Sequence, residues 1–294
     1  MIDTRYSALA VIATVTATAL FTVQDAILKL NASTYPAGQI IIVRGLAGSA
    51  FVFIVVLVSG HAVYLRSIFA PRLLARSCFD VIAMFTFLRA IQDLPLAITS
   101  TFLNATPLVA TGMIAALGLE KVRFHGWLAT SIGFGGILLI VRPDVTHLQP
   151  AVAYALLGTF ALSARDVVTR TVSNDIPTSI ATLSTTVVVC LSGLVLVVLG
   201  GREQNWLQLD HGSAAQLLLA GVIVTAGNLA AIWAYRAAEV SLVSPFRYCA
   251  ILWALAAGYV LFGDWPDMTA MIGILLVAGA GVFTIVSRSV RRTC

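Results

Sequence analysis

Ten stretches free or nearly free of charge run along this chain, separated by short segments that collect most of its Arg, Lys, Asp and Glu residues. They lie near 7–30, 39–60, 73–91, 94–118, 124–142, 150–170, 177–200, 212–236, 240–262 and 267–287. Most approach the roughly 20 apolar residues that a helix needs to cross the hydrocarbon core of a bilayer. Helix is the form such spans must take, because lipid offers no partner to an unpaired backbone N–H or C=O. The third is the poorest, since Arg76, Asp80 and Arg89 leave only residues 81–88 continuously uncharged. The pattern predicts an all-α polytopic membrane protein of ten transmembrane helices with short connections. The first tract, Tyr6 to Gln24, follows Arg5 and contains the small residues Ala17-Thr18-Ala19, which superficially suits a signal peptide. Its length, and the spans that follow it, predict a retained first helix instead.

Composition strengthens this picture. Of 294 residues, 59% are hydrophobic and 11% charged, where a soluble domain carries about 25% charged residues. The formal net charge of +5 does not point to nucleic acid, because no basic run alternates with aromatics. Membrane proteins gather Lys and Arg on cytoplasmic loops for topological reasons. Cys78, Cys190, Cys249 and Cys294 show no paired spacing, and the four histidines fall at span ends without ligand spacing. No metal and no cofactor is expected.

The same cations orient the chain. With the N-terminus inside, twelve Lys or Arg residues fall on the inner side (Arg5, Arg66, Arg72, Arg76, Lys121, Arg123, Arg165, Arg170, Arg236, Arg288, Arg291 and Arg292). Four (Lys29, Arg89, Arg142 and Arg202) fall outside. Both termini are then cytoplasmic.

An internal repeat runs through the chain. Asp25, Lys29 and Pro36 match Asp166, Arg170 and Pro177 at a constant spacing of 141 residues. Gly-Leu-Glu at 118–120 matches Phe-Gly-Asp at 262–264 at a spacing of 144. Each of the latter precedes a glycine-bearing apolar stretch. The halves are therefore 1–143 and 144–294, with five spans each. Five is odd, so the second half enters the membrane upside down relative to the first. Such a 5+5 inverted-topology repeat lets a central site face each side in turn, as in secondary transporters.

Gly-Leu-Glu-Lys (118–121) after span four and Ser-Pro-Phe-Arg-Tyr…Leu-Trp…Gly-Tyr-Val-Leu-Phe-Gly-Asp-Trp-Pro (244–266) resemble the EamA-type family of the drug/metabolite transporter superfamily. The resemblance extends over essentially the whole chain. It implies a ten-helix multi-pass protein of the bacterial cytoplasmic (inner) membrane that moves small organic solutes. Cofactor-like solutes such as riboflavin or S-adenosylmethionine suit the aromatic and arginine content best. Efflux of an amino acid or another metabolite is the alternative. The expected partners are a small-molecule substrate and the lipid bilayer, with no nucleic acid; a homodimer is left open.

Several polar residues inside the spans are candidates for binding. Arg247 heads them, because an arginine at the bilayer centre costs about 2.5–3.5 kcal/mol on insertion scales and calls for a polar cavity or a partner. Pro245 loosens the start of its helix. Phe246 and Tyr248 flank it for stacking, and Trp253 lies deeper. Helical spacing puts residues 250, 251 and 254 on the Arg247 face, so Trp253 should point elsewhere. The competing reading of Arg247 is a structural ion pair or a side chain snorkelling to the cytoplasmic surface. Arg44, Asn104 and Asn228 complete the binding candidates.

Coupling or gating candidates are Asp80, Asp25, Lys29, Asp166 and Arg170. Asp80 lies four residues after Arg76 and is expected to pair with it, since Arg44 sits roughly 15 Å away in depth at 1.5 Å rise per residue. Asp25/Lys29 and Asp166/Arg170 each have the acid-first i,i+4 spacing of a helix-end ion pair. No phosphate-binding loop, nucleophile–base pair or metal cluster appears. An enzyme is not expected, and a membrane-embedded lipid-modifying enzyme, the rival class, lacks its catalytic residues.

Overall fold

In the computed structural model, the residues described are 4–118, 124–141, 150–169, 176–199, 206–237 and 244–289. They are helical almost throughout, and no β-strand occurs among them. Helices α1 (Thr4–Ala32), α2 (Ala37–Val58) and α3 (Pro71–Asp93) are followed by a pair, α4 (Leu96–Asn104) and α5 (Thr106–Ala116), and then α6 (Phe124–Val141). The second half runs α7 (Pro150–Thr169), α8 (Thr178–Leu199), α9 (His211–Ala237), α10 (Cys249–Ala257) and α11 (Met268–Ser289). Every apolar stretch read from the sequence carries helix.

Five of these helices are long and apolar enough to cross a membrane, within α1, α2, α7, α8 and α9. Shorter apolar helices lie at Leu96–Ala110, Ser131–Ile140, Phe246–Phe262 and Met268–Ala280. α3 has the length but not the composition, as its charges foretold. Two departures from the expected pattern have local causes. A 3₁₀ segment, His61–Phe69, fills the connection between α2 and α3. The fourth stretch, read as continuous, is broken at Ala105.

That break follows from Pro107. Proline has no N–H, so the Leu103 carbonyl loses its i+4 donor. The Thr106 hydroxyl takes the donor's place at 2.6 Å. From α7, Thr159 Oγ1 reaches the Phe102 carbonyl at 3.0 Å and Ser163 Oγ the Thr106 carbonyl at 3.1 Å. Buried hydroxyls on a neighbouring helix thus satisfy backbone groups that hydrocarbon could not. The ninth stretch is irregular at both ends. It opens as a 3₁₀ turn, Ser244–Tyr248, and closes as a π-turn, Gly258–Phe262. Gly263 follows at φ 68°, a conformation that favours glycine.

Helices of the first half pack on helices of the second. α1 lies on α9, α3 on α7, α2 on α8, α6 on α11, and α4 on α10. Small residues set the closest crossings. A Cβ on Gly136 would lie 2.7 Å from the Gly273 carbonyl oxygen, and one on Gly273 would lie 2.6 Å from that of Gly136. Gly221 of α9 rests against the backbone carbonyl of Arg44 in the same manner. This contact fixes α2 at the residue that matters next.

Candidate functional site

A cavity of about 440 Å³ opens among α1, α2, α3, α4, α7, α8, α9 and the start of the ninth stretch. That size falls within the range of small-molecule pockets. Both halves of the chain line it. Its charged residues are Asp25, Arg44, Asp80, Arg165 and Arg247, its amides Gln24, Asn104 and Asn228, and its aromatics Phe21 and Phe87.

At one edge, α3 and α7 meet through ions. Asp80 accepts from Arg165 at 3.0 Å and lies 3.5 Å from Arg76. The pairing expected with Arg76 is present, but Arg165 is the closer partner. Arg165 also holds Asp166 at 2.7 Å, and Arg76 donates to the Thr185 hydroxyl on α8. With side-chain exposures of 11% for Asp80 and 26% for Arg165, the pair must be closed by direct bonds, because a buried charge without a partner is expensive.

The opposite end, about 20 Å further along α3 at 1.5 Å per residue, has a second junction. Lys29 was expected to pair with Asp25, and it does not. Its Nζ bonds Asp264 at 2.7 Å and the Leu94 carbonyl at 3.0 Å, over the Phe262 ring at 4.8 Å. The long lysine stem carries its charge past the helix end, where the Gly263 turn presents Asp264; the i,i+4 geometry cannot compete with that arrangement. Asp166 accepts from its neighbour Arg165; its expected partner Arg170 lies outside the described residues, as does Glu120.

Released from Lys29, Asp25 turns into the cavity. It accepts from the Gln24 amide nitrogen at 2.9 Å. The Gln24 amide oxygen in turn accepts from Arg44 Nη1 at 3.0 Å, and Arg44 Nη2 sits 3.3 Å from the Met84 sulfur. Arg44 and Asp80 are not bonded to each other, in keeping with their different depths, although both reach the cavity. Sequence reading missed Gln24 and Arg165. A glutamine inside an otherwise apolar tract is itself a signal, since a polar side chain there must find a partner.

Arg247 lines the cavity together with Ala250, the residue one turn on, and has no salt-bridge or hydrogen-bond partner among the described residues. The other aromatic candidates lie elsewhere. Tyr248 is buried against Ala97, Ile251 and Ile274, Trp253 is exposed on the outside, and Phe246 is not among the cavity residues. A 3₁₀ turn leading into an α-helix separates successive side chains by about 100–120°, which aims Arg247 inward and its neighbours away. Asn104 and Asn228 both face the cavity, Asn104 with its amide nitrogen tied to the Ser100 carbonyl at 2.9 Å. No group of three or more His, Cys, Asp or Glu side chains suited to a metal occurs among the described residues.

Residues 149–287 match the EamA-like transporter family. Along nearly the whole length, the chain is 24% identical over 277 residues to a pseudopaline exporter, CntI, of Pseudomonas aeruginosa, covering 92% of this chain and 93% of that one. It is 23% identical over 172 residues to an S-adenosylmethionine uptake transporter of Rickettsia felis, covering 57% of this chain. It is 29% identical over 182 residues to a riboflavin transporter of Vibrio cholerae, covering 60% of this chain. The match spans only 55% of the Rickettsia protein and 57% of the Vibrio one. A solved crystal structure 16% identical in sequence superposes with a TM-score of 0.67, over 96% of this chain and 98% of that one. That likeness concerns the fold alone.

Proposed function

We propose that this chain is a gradient-driven carrier of a small organic solute, a reading supported by the match of residues 149–287 to the EamA-like transporter family and by its transporter-named relatives. The observation that carries this reading is the cavity itself. It is of solute size, both halves of the chain line it, and it holds a cation, Arg247, with no protein partner among the described residues. In this reading Arg247 meets an anionic group of the solute, and Arg44, Asn104 and Asn228 complete the polar contacts.

The proposed architecture is the ten-helix 5+5 inverted repeat, 1–143 and 144–294, with both termini cytoplasmic, in the inner membrane of a bacterium. Helix pairing supports it. If α1 answers to α7 and α3 to α9, exchanging the halves turns the α1–α9 contact into the α7–α3 contact, and both are present. The α2–α8, α4–α10 and α6–α11 contacts each map onto themselves. Junctions at Arg165–Asp80, near the middle of α3, and at Lys29–Asp264, beside its C-terminal end, join the halves at separate depths, positions suited to alternating access.

The solute is cofactor-like in size, of the kind named for the S-adenosylmethionine and riboflavin relatives; metabolite efflux, as named for the pseudopaline exporter, is the second reading. Purified protein in liposomes, offered a labelled panel of such solutes from either side, should show saturable flux of at least one and no lipid turnover. Lipid turnover without flux of any solute would contradict the assignment.

A further inference from the structure

The cavity holds two opposite charges that the protein keeps close without letting them bond. Asp25 and Arg44 face one another across a single side-chain amide, that of Gln24. Only one orientation of that amide serves both neighbours: its nitrogen donates to the carboxylate and its oxygen accepts from the guanidinium. Gln24 is 4% exposed, and these two neighbours are the partners its amide has among the described residues.

Both charges are short of partners. A guanidinium offers five N–H donors, and a carboxylate offers about four acceptor positions. Among the described residues, Arg44 has only the Gln24 oxygen and a thioether sulfur, a weak acceptor. Asp25 has only the Gln24 nitrogen. Elsewhere the same chain saturates such groups: Asp80 has Arg165, Arg76 and the Thr185 hydroxyl around it. In a low-dielectric setting such residual capacity is costly unless something else fills it. Both side chains line the cavity, so that something can be a solute.

We propose that Asp25, Gln24 and Arg44 form a subsite for the zwitterionic head of a solute, an ammonium and a carboxylate carried on one carbon. The inference rests on the transporter reading above and narrows its substrate class. Gln24 already displays, in neutral form, the polarity such a head would bring: donor toward Asp25, acceptor toward Arg44. An α-amino-acid head presents the same two ends as full charges, bonding Asp25 through N–H groups and Arg44 through a bidentate carboxylate contact. Gln24 then rotates aside or shares both partners. A simple anion would satisfy Arg44 and crowd Asp25, and a simple cation would do the reverse. Selectivity for the double charge follows.

Thermal-shift titration of the full chain in detergent with the twenty L-amino acids tests this, each binder being compared with its N-acetyl and methyl-ester derivatives. At least one amino acid should stabilise the protein, and blocking either charge should weaken its apparent affinity about tenfold or more. Asp25→Asn should erase the penalty on the N-acetyl compound, and Arg44→Gln that on the ester. If either single variant fails to fold with its partner charge left behind, the neutral pair Asp25→Asn/Arg44→Gln removes both charges at nearly constant volume and should fold without binding the zwitterion. No binding by any amino acid, equal binding of the blocked forms, or undiminished binding by the neutral pair would overturn the subsite. Binding without flux would instead refute the transporter reading and leave the subsite standing. Flux of an uncharged solute, indifferent to both substitutions, would do the opposite.

Discussion

Asp80 shows how much a single carboxylate can hold. It faces Arg165 and Arg76 from two different helices, and removing one partner of a buried pair typically costs about 3–5 kcal/mol because the other charge is stranded. Asp80→Asn should therefore lower the folded yield and the thermal midpoint sharply, read by fluorescence-detected gel filtration. Asp80→Asn combined with Arg165→Gln should recover part of the loss. At the surface, Asp210 caps α9. Its carboxylate accepts from the Ser213 side chain and backbone N–H, and from Tyr35 Oη at 2.7 Å. The Ser213 and Tyr35 bonds hold it well below the usual carboxylate range. A depressed carboxylate contributes stability above its unfolded pKa, about 3.9, and loses it as pH falls through the folded value. Asp210→Ala should thus lower the thermal midpoint at neutral pH and flatten the acid side of the stability profile, with the two proteins converging at strongly acid pH. At this scale the sequence named Asp80, Arg44 and Arg247 because charge within a span is conspicuous. It concealed Gln24, which carries no charge, and Arg165, which lies near the end of its stretch and counts among the inner-side cations.

For the helices, periodicity and length were nearly sufficient, and the failures were chemical. Pro107 was visible, but the break at Ala105 depends on hydroxyls of α7, distant in sequence, that donate to backbone carbonyls beside it. The Lys29 pairing failed for a related reason: local i,i+4 spacing cannot anticipate a turn 235 residues away that delivers Asp264. Glycines explain the remaining precision of the site. Gly221 lies on the Arg44 carbonyl with no room for a Cβ. Gly221→Ala should push α9 from α2, cost about 1–3 kcal/mol as overpacking does, and weaken solute binding through displaced Arg44. Alanine at Gly112, which meets nothing within 4 Å, should leave both unchanged.

Across the whole molecule, apolar spans paired between halves enclose a polar chamber, with ionic junctions near its two ends. The bilayer explains why the chain is helical and apolar outside, but not why five charged side chains converge inside. The proposed transport would give that convergence a purpose, because a solute that leaves water needs its polar groups met on the way. Arg247 bears most directly on this. The second half resembles the first in its helix order, yet the position that answers to Arg247, at a spacing of 144, is Leu103. Its side chain enters the chamber without a bonded partner among the described residues, so removing it should leave packing intact. The decisive measurement compares solute flux into proteoliposomes by the native chain and by Arg247→Ala at matched reconstitution and matched thermal midpoint. The account predicts that the variant folds normally and loses nearly all saturable flux. A folded Arg247→Ala protein that transports at the native rate would contradict it.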